Sequence, residues 1–167
     1  MSRAVTAVSC EALVLASQSP RRRELLALLG VPFRVQPAAV DETPRAGEAP
    51  ETYVARTAVD KARAGAGPAV LAADTAVILD DSILGKPRDR DHARAMLERL
   101  SDREHNVLTA VVLRCGGTVR AVTVRTAVTF DCLDAARIEA YLATDEPWDK
   151  AGAYGIQGLA GAFVQIG

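Results

Sequence analysis

The segment VLAADTAVIL, residues 70–79, is the strongest constraint in the sequence. Two apolar stretches, 70–73 and 76–79, are split by Asp74-Thr75, and Asp80-Asp81 follows as a turn signal. Short apolar runs bounded by turn residues read as buried strand. A carboxylate set between two such runs is costly unless a cation, a metal or several donors meet it. The fold must therefore carry positive charge or hydrogen-bond donors to Asp74. A buried aspartate with a purely structural role satisfies the same constraint.

A second junction precedes it, ASQSPRRREL, residues 16–25. Residues 13–17 read as a short buried strand. Ser19 fits a helix N-cap, Pro20 the first helical position and Gly30 the position past the end. The spacing predicts a helix over 20–29 whose apolar face is Leu25, Leu26, Leu28 and Leu29. A strand that turns directly into a helix aims the free N–H groups of the first turn at one place and adds partial positive charge there. Arginines at that end oppose the helix dipole unless an anion visits. Ser17 and Ser19 offer hydroxyl donors, and Arg21 and Arg22 can grip phosphate oxygens bidentately. The stretch reads either as an anion site or as an ordinary N-cap with solvated arginines.

The rest of the chain continues the alternation. Strand patterns occur at 33–36, 107–115, 119–130 and 163–166, with Gly116-Gly117 making a hairpin of the long pair. Helix patterns occur at 52–64, at 89–100 with Ala93, Met96, Leu97 and Leu100 inward, and from the cap Asp134 to 143. Residues 37–50 are loop-like, and 152–161 form a glycine-rich, backbone-permissive loop. The fold class is α/β with a mixed sheet. The 167 residues form one domain, long enough to bury roughly 70% of their unfolded surface.

Twenty basic and 21 acidic residues give a net charge of -1, which offers no global attraction to nucleic acid or to an acidic membrane. No run is long enough to span a bilayer. Any anion must be met by a local cluster. Cys10, Cys115 and Cys132 lack a C-x-x-C spacing, and His92 and His105 are the only histidines, so no zinc pattern forms. The cysteines read as free thiols in a reducing compartment, and the N-terminal apolar stretch is broken by Glu11 where a signal peptide would continue. The cytoplasm is the expected location.

Two further polar clusters are Asp41-Glu42 in AAVDETP and Lys86 in ILGKPRD. Each is unremarkable alone. One ligand would use all four clusters, because a nucleoside triphosphate brings several negative charges and a divalent ion. Carboxylates such as Glu42 and Asp74 suit Mg²⁺ or Mn²⁺, cationic side chains neutralise phosphates, and a carboxylate can take a proton from an attacking water.

Taken together, LASQSPRRREL (15–25), VDE (40–42), Lys61-Ala62-Arg63, AADT (72–75), LGKPRD (84–89), MLERLS (96–101), HNVLTAV (105–111) and EPWDKAGAYGIQG (146–158) resemble the Maf family of nucleotide pyrophosphatases. Each motif is weak alone, while their ordered combination is specific. The resemblance implies a two-lobed fold like that of the inosine triphosphate pyrophosphatases, with a cleft between lobes. It also implies cleavage of a nucleoside triphosphate to monophosphate and pyrophosphate. KAGAYGIQG resembles the branch handling dTTP and UTP. By position, Asp74 would accept the proton and Glu42 would help it hold the metal. Ser17, Ser19, Arg21, Arg22, Lys61 and Lys86 would meet phosphates, and Arg21, Thr75 and Gln157 would set specificity. Gln157 offers both a donor and an acceptor, matching the edge of uracil or thymine. Trp148 and Tyr154 are candidates to stack on a base, with core packing the role of at least one.

The resemblance further implies a homodimer, and a final strand and helix that this sequence does not carry, so the domain reads as 1–167 with a shortened C-terminus. Two functional classes stay open at this point: a metal-dependent pyrophosphatase, and a nucleotide-binding regulator of septum formation with little catalysis.

Overall fold

The computed structural model describes residues 13–165. Its elements run β1 (Leu13–Leu15), α1 (Pro20–Ala27), β2 (Arg34–Val35), α2 (Pro50–Ala64), β3 (Ala69–Leu79), β4 (Ser82–Leu84), α3 (Arg90–Leu100), β5 (Glu104–Cys115), β6 (Thr118–Thr129) and α4 (Ala135–Leu142). Short 3-10 turns follow at Pro147–Asp149, Ala151–Ala153 and Leu159–Phe163. The strands make one six-stranded mixed sheet in the order β2-β1-β3-β5-β6, with β4 paired to β3. The α/β mixed-sheet class expected from the alternation is therefore observed.

The chain divides into two compact units. The first holds residues up to Pro44, Ala55–Asp74 and Ala110–Val122; the second holds Arg45–Val54, Thr75–Thr109 and the chain from Thr123 onward. In the first unit β1 lies parallel to both neighbours, with Val14 opposite Arg34 on β2 and Val70 on β3. Val14, Ala58, Ala62, Val70 and Ala72 are fully buried. The end of α2 lies flush on this layer: a Cβ added to Gly65 would stand 2.6 Å from a Val70 methyl.

Three sequence expectations need correction. Helix α1 starts at Pro20 with Ser19 as its cap, but it ends at Ala27, with Leu28 as C-cap and Gly30 at φ 67°. Two helical turns turn only one leucine inward: Leu26 is buried, while Leu25, Leu28 and Leu29 are exposed. Next, β3 is continuous from Ala69 to Leu79 and is not split at Asp74-Thr75. Asp74 can sit mid-strand because a cation meets it there. Last, residues 163–165 form no strand; Phe163 closes a 3-10 turn and Val164 makes an isolated bridge to Phe130. Cys10 and Ile166 lie outside the described residues, whereas Cys115 and Cys132 are free thiols.

In the second unit β3 turns into β4 through Asp80 and Asp81, both at positive φ, 49° and 61°. That is the two-residue hairpin geometry whose twist matches the strands. Helix α3 is capped by the Asp89 carboxylate, which accepts from the His92 N–H at 2.7 Å. The inward set expected for this helix, Ala93, Met96, Leu97 and Leu100, is buried and joins a core with Leu79, Phe130 and Leu142. Each fully buried leucine or phenylalanine of this core contributes roughly 1.5–3 kcal/mol. Phe130 packs edge-on against His105 and Tyr154, at ring-centroid distances of 5.0 and 4.8 Å.

Strand β6 is the last in the sheet order, and its residues 118–127 are exposed.

Candidate active site

Asp74 stands near the middle of β3, 5% exposed. Its partner comes from α2. Thr57, Ala58, Lys61 and Ala62 follow helical spacing on the buried face of that helix. Lys61 thus sends its ammonium inward, 2.8 Å from the Asp74 Oδ1. The same ammonium lies 3.1 Å from Glu42 Oε1, in the loop before α2. One lysine therefore bridges two carboxylates from different segments. Burial raises the Asp74 carboxyl above its ordinary range, against the hydrogen bond and charge of Lys61.

The junction after β1 reaches the same strand. The Ser19 hydroxyl accepts from the Arg22 N–H at 3.4 Å, the N-cap bond expected from the sequence. The Arg22 guanidinium then donates through Nη1 to the Ala73 carbonyl at 2.8 Å and to the Ser17 hydroxyl at 3.3 Å. Ser17 also accepts from the Ser19 N–H. Burial pulls the Arg22 guanidinium below its ordinary value, and the charges of Asp74 and Glu42 oppose that shift. Arg21 is exposed and pairs with Glu24 at 3.7 Å.

Of the sequence-predicted residues, Ser17, Ser19, Arg22, Glu42, Lys61 and Asp74 are thus brought together within the first unit. Thr75, Lys86 and Gln157 belong to the second unit. There Thr75 shares a hydroxyl–hydroxyl hydrogen bond with Thr109, 3.1 Å. Lys86 is exposed; the Asp149 carboxyl is lowered first by its hydrogen bond from Lys150, and the charge of Lys86 adds to that. Gln157 is exposed at the centre of a turn. Tyr154 is buried with its hydroxyl 2.6 Å from His105 Nε2, which gives it the core role. Trp148 is half-exposed and donates to the Thr144 carbonyl. A cavity of about 260 Å³ in the second unit, lined by Glu51, Asp80, Asp81, Glu104 and Arg125 among others, contains none of the predicted residues.

Two supporting arginines escape a reading of motifs. Arg56 donates to the Thr43 carbonyl at 3.1 Å and so tethers the loop carrying Glu42 to α2. Arg114 on β5 donates to the carbonyls of Ala62, Gly65 and Gly67 at 2.9, 2.8 and 3.1 Å. The first is one of the terminal carbonyls that a helix leaves unpaired, and the other two lie just past its end. Arg114 therefore caps the helix that holds Lys61. It lies 52 residues from Ala62 along the chain, and nothing local in the sequence signals the contact.

The donor set bears on a metal. Among the described residues no group of three or more His, Cys, Asp or Glu side chains gathers to hold one. Two hard carboxylates at one point nevertheless fit Mg²⁺, which keeps several waters and takes phosphate oxygens beside one or two carboxylates. The cluster as a whole offers a proton-accepting carboxylate of raised affinity beside cations and hydroxyl groups suited to an anion.

No helix among the described residues is long and apolar enough to cross a membrane. The chain is 55% identical over 157 residues to a dTTP/UTP pyrophosphatase of Anaeromyxobacter dehalogenans strain 2CP-1, an alignment covering 92% of this chain and 81% of that protein. It is 52% identical to the dTTP/UTP pyrophosphatase of Yersinia pestis bv. Antiqua, with the same coverage, and 54% identical to that of Myxococcus xanthus, covering 91% and 79%. The solved structure of the Staphylococcus aureus Ham1 protein matches with a TM-score of 0.51 at 14% identity, over 71% of each chain. That last likeness concerns the fold alone, and it agrees with the fold implied by the motifs. The Maf-like protein model matches residues 12–166, and the chain belongs to the Maf-like family.

Proposed function

We propose that this protein is a nucleoside triphosphate pyrophosphatase that cleaves dTTP and UTP to the monophosphate and pyrophosphate, residues 1–167 acting as one catalytic domain. The carrying observation is the Asp74–Lys61–Glu42 cluster, with a buried carboxylate of raised affinity for protons held by an ammonium at 2.8 Å. The names of relatives at 52–55% identity support the substrate.

Asp74 accepts the proton of the attacking water. A general base works best when its pKa lies near the working pH, and burial moves Asp74 in that direction. Lys61 fixes the carboxylate and offsets phosphate charge. Ser17, Ser19, Arg21, Arg22 and Lys86 bind phosphate oxygens. Arg21, Thr75 and Gln157 discriminate the substrate, Gln157 through its paired donor and acceptor. Glu42 and Asp74 would hold a divalent cation, Mg²⁺ or Mn²⁺, whose contribution is to neutralise the phosphates. A cytoplasmic homodimer is the working form we propose.

The test is a panel of nucleoside triphosphates with Mg²⁺ or Mn²⁺, read as pyrophosphate released. Release from dTTP and UTP is expected; orthophosphate instead, or no product from any nucleotide, would sink the reading. Asp74→Asn should lower turnover by about 10²-fold or more, the scale of losing a positioned acid–base group. Unchanged turnover in the folded variant removes Asp74 from the mechanism.

A further inference from the structure

The turn that carries Gln157 is built around one carboxylate. Glu146 follows α4, just before the 3-10 turn Pro147–Asp149. Its Oε2 accepts from the Leu159 N–H at 2.7 Å, and its Oε1 accepts from the Ala160 N–H at 3.1 Å. These are free N–H groups at the start of the 3-10 turn Leu159–Phe163, where no side chain of the N-cap residue can serve because that residue is Gly158. A carboxylate from elsewhere in the chain takes the place of the missing cap.

The other side of the turn is tied to the same group. Tyr141, at the end of α4, donates its hydroxyl to Glu146 Oε1 at 2.8 Å and accepts from the Gly155 N–H at 3.3 Å. Burial, with the adjacent carboxylate, raises the Tyr141 hydroxyl above its ordinary range, so it stays protonated and remains a donor. Gly158 N–H closes onto the Gly155 carbonyl at 2.9 Å. Gly155, Leu159 and Ala160 are thus all anchored, and residues 156–158 project between the anchors.

The glycines show how closely the turn wraps the carboxylate. A Cβ at Gly158 would lie 2.6 Å from the Glu146 Cδ, and one at Gly161 would lie 2.8 Å from the Ile156 carbonyl oxygen. Neither position has room for a side chain. Such a wrap needs both a permissive backbone and a fixed charge at its centre.

We propose that Glu146 is the positioning residue for base selection: its carboxylate sets the orientation of the Ile156-Gln157-Gly158 turn and thereby the donor and acceptor that Gln157 presents. This rests on the reading of Gln157 as the residue that meets the base. Glu146 touches no reacting atom and acts through the backbone of the turn. Glutamine in its place keeps the shape but turns an amide N–H toward the Leu159 or Ala160 N–H, and two donors cannot pair.

The experiment compares wild type, Glu146→Gln and Tyr141→Phe. Amide hydrogen exchange reads the anchoring. Selectivity is read twice, as kcat/KM for UTP over CTP and as the ratio of Kd values for the product nucleotides UMP and CMP. In Glu146→Gln, exchange at Leu159 and Ala160 should rise by about 10-fold or more. Preference for the uracil base should fall by about 10-fold, chiefly through KM. Tyr141→Phe should move both readouts the same way by a smaller factor, and it carries the test if Glu146→Gln does not fold. Unchanged exchange overturns the proposal. Faster exchange with undiminished uracil preference in both measures also overturns it. If the wild type releases no pyrophosphate, the pyrophosphatase reading fails by itself, and exchange with the UMP/CMP ratio still decides the role of Glu146.

Discussion

His105 makes the fold's stability depend on pH in a calculable way. It is 2% exposed, edge-on to Phe130, with Nε2 against the Tyr154 hydroxyl. Burial lowers its pKa from 6.5 to about 4, against a smaller opposing effect of the Arg103 backbone. The folded chain therefore keeps His105 neutral where the unfolded chain protonates it. Stability from this residue is complete above pH 6.5 and is lost as pH falls toward 4. Linkage gives a loss of about 2 kcal/mol between pH 7.5 and pH 5. For a chain of this size that is a fall in Tm of about 4–8 °C. Other groups titrate as well, among them Asp74, whose raised pKa acts in the opposite sense. The measurement is thus a difference. Denaturant unfolding at pH 7.5 and 5 is compared between wild type and the double variant His105→Leu/Tyr154→Phe, which removes both partners and leaves no orphaned hydroxyl. The wild type should lose about 2 kcal/mol more than the variant over this range. Parallel curves would refute the buried neutral histidine.

Two other substitutions test the frame. Lys61→Met leaves the Asp74 carboxylate buried without its nearest cation and should cost about 3–5 kcal/mol in denaturant unfolding, with much of the loss recovered on adding Asp74→Asn; a cost below about 1 kcal/mol would contradict the buried pair. Gly152 sits at φ 69°, where a Cβ would stand only 3.1 Å from the Val77 side chain; Gly152→Ala should destabilise by about 1–3 kcal/mol, and a neutral effect on Tm would show that neither strain nor crowding operates there.

Much of the site was legible because its parts are local. Ser19 and Pro20 announce a helix start, and the helix begins at Pro20. Asp74 between apolar runs demanded a cation, a metal or several donors, and the structure brings it Lys61. What the sequence misjudged depends on partners distant in the chain. Four leucines looked like a helix face, but α1 is two turns long and buries one of them. The two apolar runs flanking Asp74-Thr75 belong to one strand, because the counter-ion that makes the carboxylate tolerable there arrives from α2. Arg114 and Arg56 could not be found in this way, because both act on backbone carbonyls, which leave no signature in side-chain pattern.

Strand β6 has a consequence for the protein in solution. Among the described residues β6 is the outermost strand, and over 118–127 it presents N–H and C=O groups that another chain's strand can match. Val119, Val122 and Val124 are exposed along it, and β-branched residues favour such pairing. Arg120 interrupts the run with a charge, while Arg125 is paired with Glu51; the Arg120 charges of two copies repel as they approach edge to edge. Colloidal behaviour should accordingly follow ionic strength: salt that screens Arg120 lowers the barrier guarding this edge of the sheet.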